Sequence, residues 1–434
     1  MDKFATMVKM KSLLKRSLLL VFFCIHAGSV ACTQTDARQK TNASSLQTKT
    51  ENKIRVTRIA KLPDDLPGKY KRAFDRYVQV VAPNGNPINI FAQKEITDAQ
   101  LRHVRDVMTH YLTDLAESEF GSDKKEIANR MADNKAIMMI LKGSDGEFRE
   151  PGIDAQPLFA TETVVEGTPG YIDCDFEHHR DATLEEILHC VHDNGIGVDV
   201  RGAPKGVAPK FQSEIRKATT YAMKNGVWPT DHSKEFTEDW IEELRDEGSL
   251  TQEYLASVID SYYGLWGPFD EDFGMHGIYK AKTRQAIEEK DPRGFAIVKK
   301  FFHPRLLYEA EIDGAFEGTF KMKFDERVPY THKSRYLLKA RLTGKKNSNL
   351  IGNAQDNQLA GNKGNNRLDG GEGNDTVVFP RPKSQYTVVK NKDGSTTVTG
   401  DGVDTLINVE NILFNGNELD KLRYVKPVPH GLRR

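Results

Sequence analysis

Apolar residues change their spacing several times along this chain, and each change predicts a different element. A run from Leu18 to Ile25 comes after Lys9, Lys11, Lys15 and Arg16 and precedes small residues from Ala27 to Ala31. Residues 33–53 then carry almost nothing apolar. From 54 to 340 the spacing becomes that of a globular domain. Thr97-Asp98-Ala99-Gln100 reads as a capping box for a helix with Leu101, Val104, Met108, Tyr111, Leu112 and Leu115 on its inner face. The unbroken apolar stretch 136–141 predicts a short strand, and helices are predicted over 209–225, 235–246, 251–264 and 282–302. Many helices with a small sheet make an α+β domain. Beyond 340 the apolar step becomes nine residues, at Leu350, Leu359, Leu368 and Val377, with Gly352, Gly361 and Gly370 in the same step. That period is too short for a helical repeat and suits one turn of a parallel β-roll. Residues 386–389 and 396–399 read as a hairpin turning at Lys392-Asp393-Gly394.

The last copy of the nine-residue unit, Gly370-Gly371-Glu372-Gly373-Asn374-Asp375-Thr376-Val377-Val378, has every fixed residue of Gly-Gly-x-Gly-x-Asp-x-apolar-x. It resembles the repeats-in-toxin (hemolysin-type) calcium-binding family, and the sheet-like segment Asp404 to Phe414 resembles the cap that closes such rolls. The resemblance implies calcium bound near Gly371, Gly373 and the aspartate place of each copy. Here that place holds Asn357, Asn366 and Asp375. Asparagine offers an oxygen without charge, so the expectation is one or two weak sites. The other reading is a metal-free roll closed by ladders of side-chain amides.

The N-terminal layout is that of a secretory signal, too short to span a bilayer. Ser29-Val30-Ala31-Cys32 resembles a lipoprotein processing box, although Ser29 stands where leucine is usual. Cys32 is either a lipid anchor attaching the protein to a membrane or incidental to simple cleavage. Residues 32–53 read as a flexible tether. The organisation expected is therefore signal 1–31, polar linker 32–53, α+β domain 54–340, β-roll and cap 341–420, and tail 421–434. The protein is expected outside the cytoplasm, either secreted or anchored to the envelope. The 62 basic and 62 acidic residues cancel without a basic stripe, which speaks against a nucleic-acid partner. Cys174 and Cys190 are expected to form one disulfide in an oxidising compartment, with two buried thiols as the alternative. Nothing in the residues decides the oligomeric state.

The chemistry of the α+β domain centres on residues 182–193. On a helix, Leu184, Leu188 and Val191 share one face, while Glu185, His189 and His192 form the adjacent stripe. Glu185-Glu186-Ile187-Leu188-His189 is similar to His-Glu-x-x-His of zinc metallopeptidases, with Glu in place of the first His. His189-Cys190-Val191-His192-Asp193-Asn194 resembles the continuation of the zinc helix in lethal-factor-like peptidases. Thr251-Gln252-Glu253-Tyr254-Leu255 resembles the later helix that supplies their third ligand. The resemblance implies zinc held by Glu185, His189 and Glu253, with Glu186 as general base acting on a peptide or protein substrate. It also implies that the strand 136–141 is the edge strand lining the substrate. Two carboxylates and one imidazole make a harder donor set than two imidazoles and one carboxylate, suited to other divalent ions as well. His189 and His192 could instead be the ligand pair. A solvated helix flank without metal also accounts for these residues. A phosphohydrolase His-Asp pair at His192-Asp193 lacks an upstream histidine partner, and a di-iron site would need a second Glu-x-x-His. His178 and His179 are candidate extra ligands, His276 a candidate cleft residue, and His303 a helix-end residue. Two functions remain open: an exported zinc-dependent hydrolase, peptidase-like, with a calcium-binding roll, or a non-catalytic surface binding or adhesion protein carrying a degenerate peptidase-like domain.

Overall fold

A computed structural model of the protein describes residues 53–145, 151–174, 176, 180–200, 202–230, 234–270, 272–415 and 424–432. The expected signal, Cys32 and nearly all of the linker lie outside them, as do His178 and His179.

A seven-stranded sheet forms the first part of the α+β region. Its order is Tyr424–Val425, Arg55–Thr57, Arg76–Val81, Pro87–Ala92, Ile137–Leu141 and Gln156–Phe159, with Ala60–Lys61 also paired to Arg76–Val81. Pro87–Ala92, Ile137–Leu141 and Gln156–Phe159 run parallel to one another. Ile137–Leu141 reads as an unbroken apolar run because both its faces are covered. Met138 and Ile140 pack with Val104 and Met108 of the helix Asp98–Leu112 and with Leu184 and Leu188 of the helix Thr183–Val191. Met139 and Leu141 pack on the other side with Tyr70, Phe74 and Phe91.

The capping box at Thr97 is present, with Gln100 reaching back to the Thr97 backbone. The helices Pro209–Lys224, Lys234–Glu247 and Leu250–Tyr262 stand where the apolar spacing placed them. The helix expected over 282–302 is two, Arg284–Lys290 and Pro292–Lys299. Pro292 has no N–H and its ring excludes a continuous helix. Asp291 caps the second piece, accepting from the Gly294 N–H at 3.1 Å.

The C-terminal region is a two-sheet β-roll. Leu306–Ile312, Leu337–Leu342, Gln358–Ala360, Thr376–Phe379 and Asn411–Phe414 form one parallel sheet. Thr319–Lys321, Asn349–Ile351, Arg367–Asp369 and Val403–Ile407 run parallel in the other, which the antiparallel strands Thr396–Thr399 and Thr387–Lys390 extend. Successive strands thus alternate between sheets. Leu350 pairs with Leu368, and Leu359 with Val377. The nine-residue unit is therefore half a coil, not the full turn its period suggested. One strand and loop reverse the chain once, and closing a coil takes two reversals. Two further features differ from expectation. The ladders begin at Leu306, upstream of the repeats, and 403–414 is one more coil laid on them, not only a cap. Leu350, Leu359, Leu368 and Val377 are all fully buried in the axis of the roll.

Candidate metal centre and calcium-binding roll

The helix Thr183–Val191 packs against the strands Ile137–Leu141 and Gln156–Phe159 with Leu184, Ile187, Leu188 and Val191 in the core. That fixes its rotation and turns Glu185 and His189 toward the helix Leu250–Tyr262. One ligand atom from each of Glu185, His189 and Glu253 lies within 4.8 Å of the others. His189 Nε2 is 3.7 Å from Glu253 Oε1, and His189 Nδ1 is 3.8 Å from Glu186 Oε2. His189 Nε2 is buried without a hydrogen-bond partner. A buried, unsatisfied ring nitrogen between two carboxylates fits a cation, because the ion replaces the missing donor.

Glu186 sits beside this trio, and its Oε2 accepts from Gln156 Nε2 at 2.5 Å. Gln156 opens the strand Gln156–Phe159, which stands at one of the two edges of its sheet among the described strands. The edge strand nearest the candidate base is therefore this one. Ile137–Leu141, expected to be the edge, is an inner strand because Gln156–Phe159 pairs along its outer side.

His192 does not join the trio. The α-helix ends at Val191, and His192 opens a π-helical turn, His192–Ile196. Its ring is fully buried against Gln212 of a neighbouring helix, Nε2 to Oε1 2.6 Å, and burial lowers its pKa to about 4. His276 lies against the rings of Trp266 and Phe269 instead of in an open cleft. His303 lies just past the helix Pro292–Lys299 and contacts the Asp114 carbonyl at 2.7 Å.

The expected disulfide is not formed, and Cys174 and Cys190 are free thiols. Cys190 is buried in the core on the site helix, whereas the Cys174 thiol donates to the Tyr171 carbonyl at 3.5 Å on the wall of a separate pocket. Burial pushes the Cys174 thiol up to about 11 and the Cys190 thiol higher still.

Sequence reasoning missed the residues that support the trio. The Arg180 guanidinium pairs with the Glu185 carboxylate, five positions before it on the approach to the helix. Asp181 pairs with Lys333, and both are nearly enclosed. Asp260 lies on the same helix as Glu253, fully buried, with burial raising its pKa and Arg180 the largest opposing charge. Glu166 accepts from the Tyr308 hydroxyl at 2.9 Å, with His103 at 3.5 Å. An acidic helix preceded by an arginine was a visible signal for Arg180. Nothing local marks Gln156 or Lys333, which arrive from a distant strand and a distant short helix.

In the roll, Asn357 and Asn366 are committed to hydrogen bonds. Asn357 Oδ1 accepts from the Asn353 N–H at 2.7 Å, and Asn366 Oδ1 accepts from the Asn362 N–H at 2.9 Å. Each then donates its own backbone N–H to an aspartate on the adjoining coil: Asn357 to Asp375 at 2.7 Å and Asn366 to Asp404 at 3.0 Å. Both columns of amides therefore end in a carboxylate. Asp404 occupies the place in its coil that Asp375 occupies in the other, hidden in the sequence by the intervening hairpin. Asp375 Oδ2 is buried without a partner, and burial raises its pKa, with Glu410, Asp356 and Asp369 adding negative charge. This oxygen-rich layer fits a hard cation better than the asparagine layers do. Gly371 and Gly373 take φ of +96° and +125° in the loop over it, values that a side chain would oppose.

The alternating strands, the stacked glycine loops and the aspartate-ended columns define a parallel β-roll of the calcium-binding repeat class. Residues 344–378 match the family described as RTX calcium-binding nonapeptide repeat (4 copies). The match supports a calcium-binding roll, and such repeats are typical of secreted or extracellular proteins. No curated protein and no solved structure matches the chain.

Proposed function

We propose that this protein is an exported, metal-dependent hydrolase, peptidase-like in its site, with a calcium-binding β-roll appended. The observation that carries the reading is the convergence of Glu185, His189 and Glu253 around the unpartnered His189 Nε2. Glu185, His189 and Glu253 would hold a divalent ion there, and the ion would supply Lewis acidity for hydrolysis. Glu186, beside the trio, would serve as general base and then as proton donor to the leaving amine. Gln156 holds the Glu186 carboxylate in place through its amide. The outer edge of Gln156–Phe159 has no strand partner among the described residues, so it offers backbone groups to an extended peptide. The signal-like N-terminus and Cys32 supply the export route and, if lipidated, the anchor.

The test is elemental analysis of the full-length protein after exhaustive dialysis and reloading with zinc, manganese or iron, and then incubation with an unfolded protein substrate. One transition-metal ion per chain is expected, lost in His189→Ala and Glu253→Ala. Glu186→Gln is expected to keep the ion and lose cleavage. Absence of a bound transition metal at micromolar supply overturns this reading and leaves the non-catalytic binding protein.

A further inference from the structure

Three features stand outside the proposed mechanism: an aromatic-walled pocket beside Cys174, the exposed hairpin edge at Val388 and Val389, and the buried charges behind the trio. The buried charges point furthest. We infer that Arg180 is the resident counter-cation of Glu185 in the metal-free protein, and that a metal ion must displace it to load. This rests on the proposed metal site and adds to it a built-in control on occupancy.

Glu185, Glu186 and Glu253 gather on two facing helices in a shielded space, with the His189 ring close to both Glu186 and Glu253. Without a cation, three carboxylates at such range repel one another, and burial magnifies the cost. Arg180 answers this: its guanidinium contacts the Glu185 carboxylate, and the two side chains are 11% and 5% exposed. A metal claiming Glu185 brings two positive charges next to that guanidinium. The two cations compete for one carboxylate, so the ion gains less than it would at a site without arginine.

The displaced guanidinium has an acceptor waiting. Asp260 is fully buried, its Oδ1 lacks a hydrogen-bond partner, and Arg180 is the strongest positive influence on it. Asp181 is not available for this, since Lys333 already holds it. Arg180 thus stands between two carboxylates, one a candidate ligand and one not. Moving its allegiance from Glu185 to Asp260 couples loading to a rearrangement of the loop before the site helix.

The consequence is specific. Removing the guanidinium must destabilise the metal-free protein more than the loaded one, and linkage then requires the same change to tighten metal binding. A purely structural arginine would weaken both states alike. The experiment uses full-length protein: zinc affinity by competition with a chromogenic chelator, and thermal midpoints with zinc and with EDTA. Arg180→Gln is expected to bind zinc at least tenfold more tightly than wild type. Its midpoint should fall in EDTA and recover most of the loss in zinc. Arg180→Lys, which keeps a charge there, should lie close to wild type. If Arg180→Gln cannot be produced metal-free, Arg180→Gln with Glu185→Gln removes both charges and should restore folding in EDTA. Equal losses in zinc and EDTA, or an affinity unchanged or weaker in Arg180→Gln, overturn the inference while leaving the metal site standing. A wild-type protein that takes no zinc overturns both.

Discussion

Lys333 and Asp181 form an ion pair that ties the first coil of the roll to the segment entering the site helix. Their side chains are 9% and 10% exposed. Lys333 comes from the short helix Thr331–Ser334 between two roll strands, and Asp181 lies two residues before the helix Thr183–Val191. The neighbouring Tyr308, on the first roll strand, donates to Glu166 at 2.9 Å in the same direction. The roll and the α+β region therefore share buried polar contacts as well as apolar ones.

Breaking that pair from one side should be costly. Burial pushes the Asp181 carboxyl up, but Lys333, His103 and the bond from Thr183 together hold it below the usual range, and Asp181 in turn raises the buried Lys333 ammonium. Lys333→Met leaves Asp181 enclosed without a counter-charge, at a cost of about 3–5 kcal/mol. Chemical denaturation is expected to show that loss, and Lys333→Met with Asp181→Leu is expected to regain most of it.

Calcium is expected to raise the thermal midpoint of the roll, and Asp375→Ala to remove most of the rise. Of the three aspartate places in the repeats, Asp375 is the one that keeps a buried, unpartnered oxygen. Asn357→Ala should behave differently. It removes the side-chain bonds with the Asn353 N–H and the Asn353 Oδ1 while leaving the backbone bond to Asp375, so stability falls both with calcium and without it. Differential scanning calorimetry with calcium and with EDTA separates the two patterns. A midpoint unmoved by EDTA counts against calcium in this layer.

The contrast between these residues shows what local sequence can reveal. The repeat is legible because its glycines and inward leucines recur at fixed spacing, and the amphipathic stripe places Glu185 and His189 together because a helix converts spacing into direction. Glu253 is readable only through a resemblance, since no periodicity links it to His189. The half-coil geometry is not legible: a period of nine says how often the pattern returns, not which sheet receives each copy. Asp404 escapes because a hairpin separates it from its column, and Ile137–Leu141 passes for an edge only through the peptidase resemblance, although Gln156–Phe159 pairs along its outer side. Arg180, Gln156 and Lys333 act through contacts that only the folded chain creates.

Asp404 gives the roll a pH dependence of known sign. Burial lifts its pKa to about 6, with Asp401 adding to the rise and the Asn366 N–H opposing it. A carboxyl raised in the folded state keeps a proton that the unfolded chain has already released, from about pH 4 upward. Stability without calcium should therefore fall as pH climbs from about 4 to about 6, by something on the order of 2 kcal/mol. Asp404→Asn should flatten that slope and lift stability at neutral pH. Midpoints measured across this range in EDTA provide the check. A slope unchanged in the variant would assign it to another group.

The C-terminal tail is a structural part of the first sheet. Tyr424–Val425 pairs parallel with Arg55–Thr57, at Val56 with Tyr424 and Thr57 with Val425. Beyond it, the buried Gln79 amide closes on the backbone of Val428, donating to its carbonyl and accepting from its N–H, both at 2.9 Å. Asn89 donates to the His430 carbonyl at 2.9 Å. Without the tail, Gln79 and Asn89 keep only each other, at 3.1 Å, and Arg55–Thr57 becomes an open edge. A buried group left unsatisfied costs about 1–3 kcal/mol, so truncation before Tyr424 should weaken the sheet by several times the effect of a surface change. Hydrogen exchange is the discriminating measurement. Protection should drop over 55–81 in the truncated protein and in Gln79→Leu, while the repeat strands at 349–378 keep theirs. A loss confined to the repeats would mean that the tail supports the roll and not the sheet that carries the site.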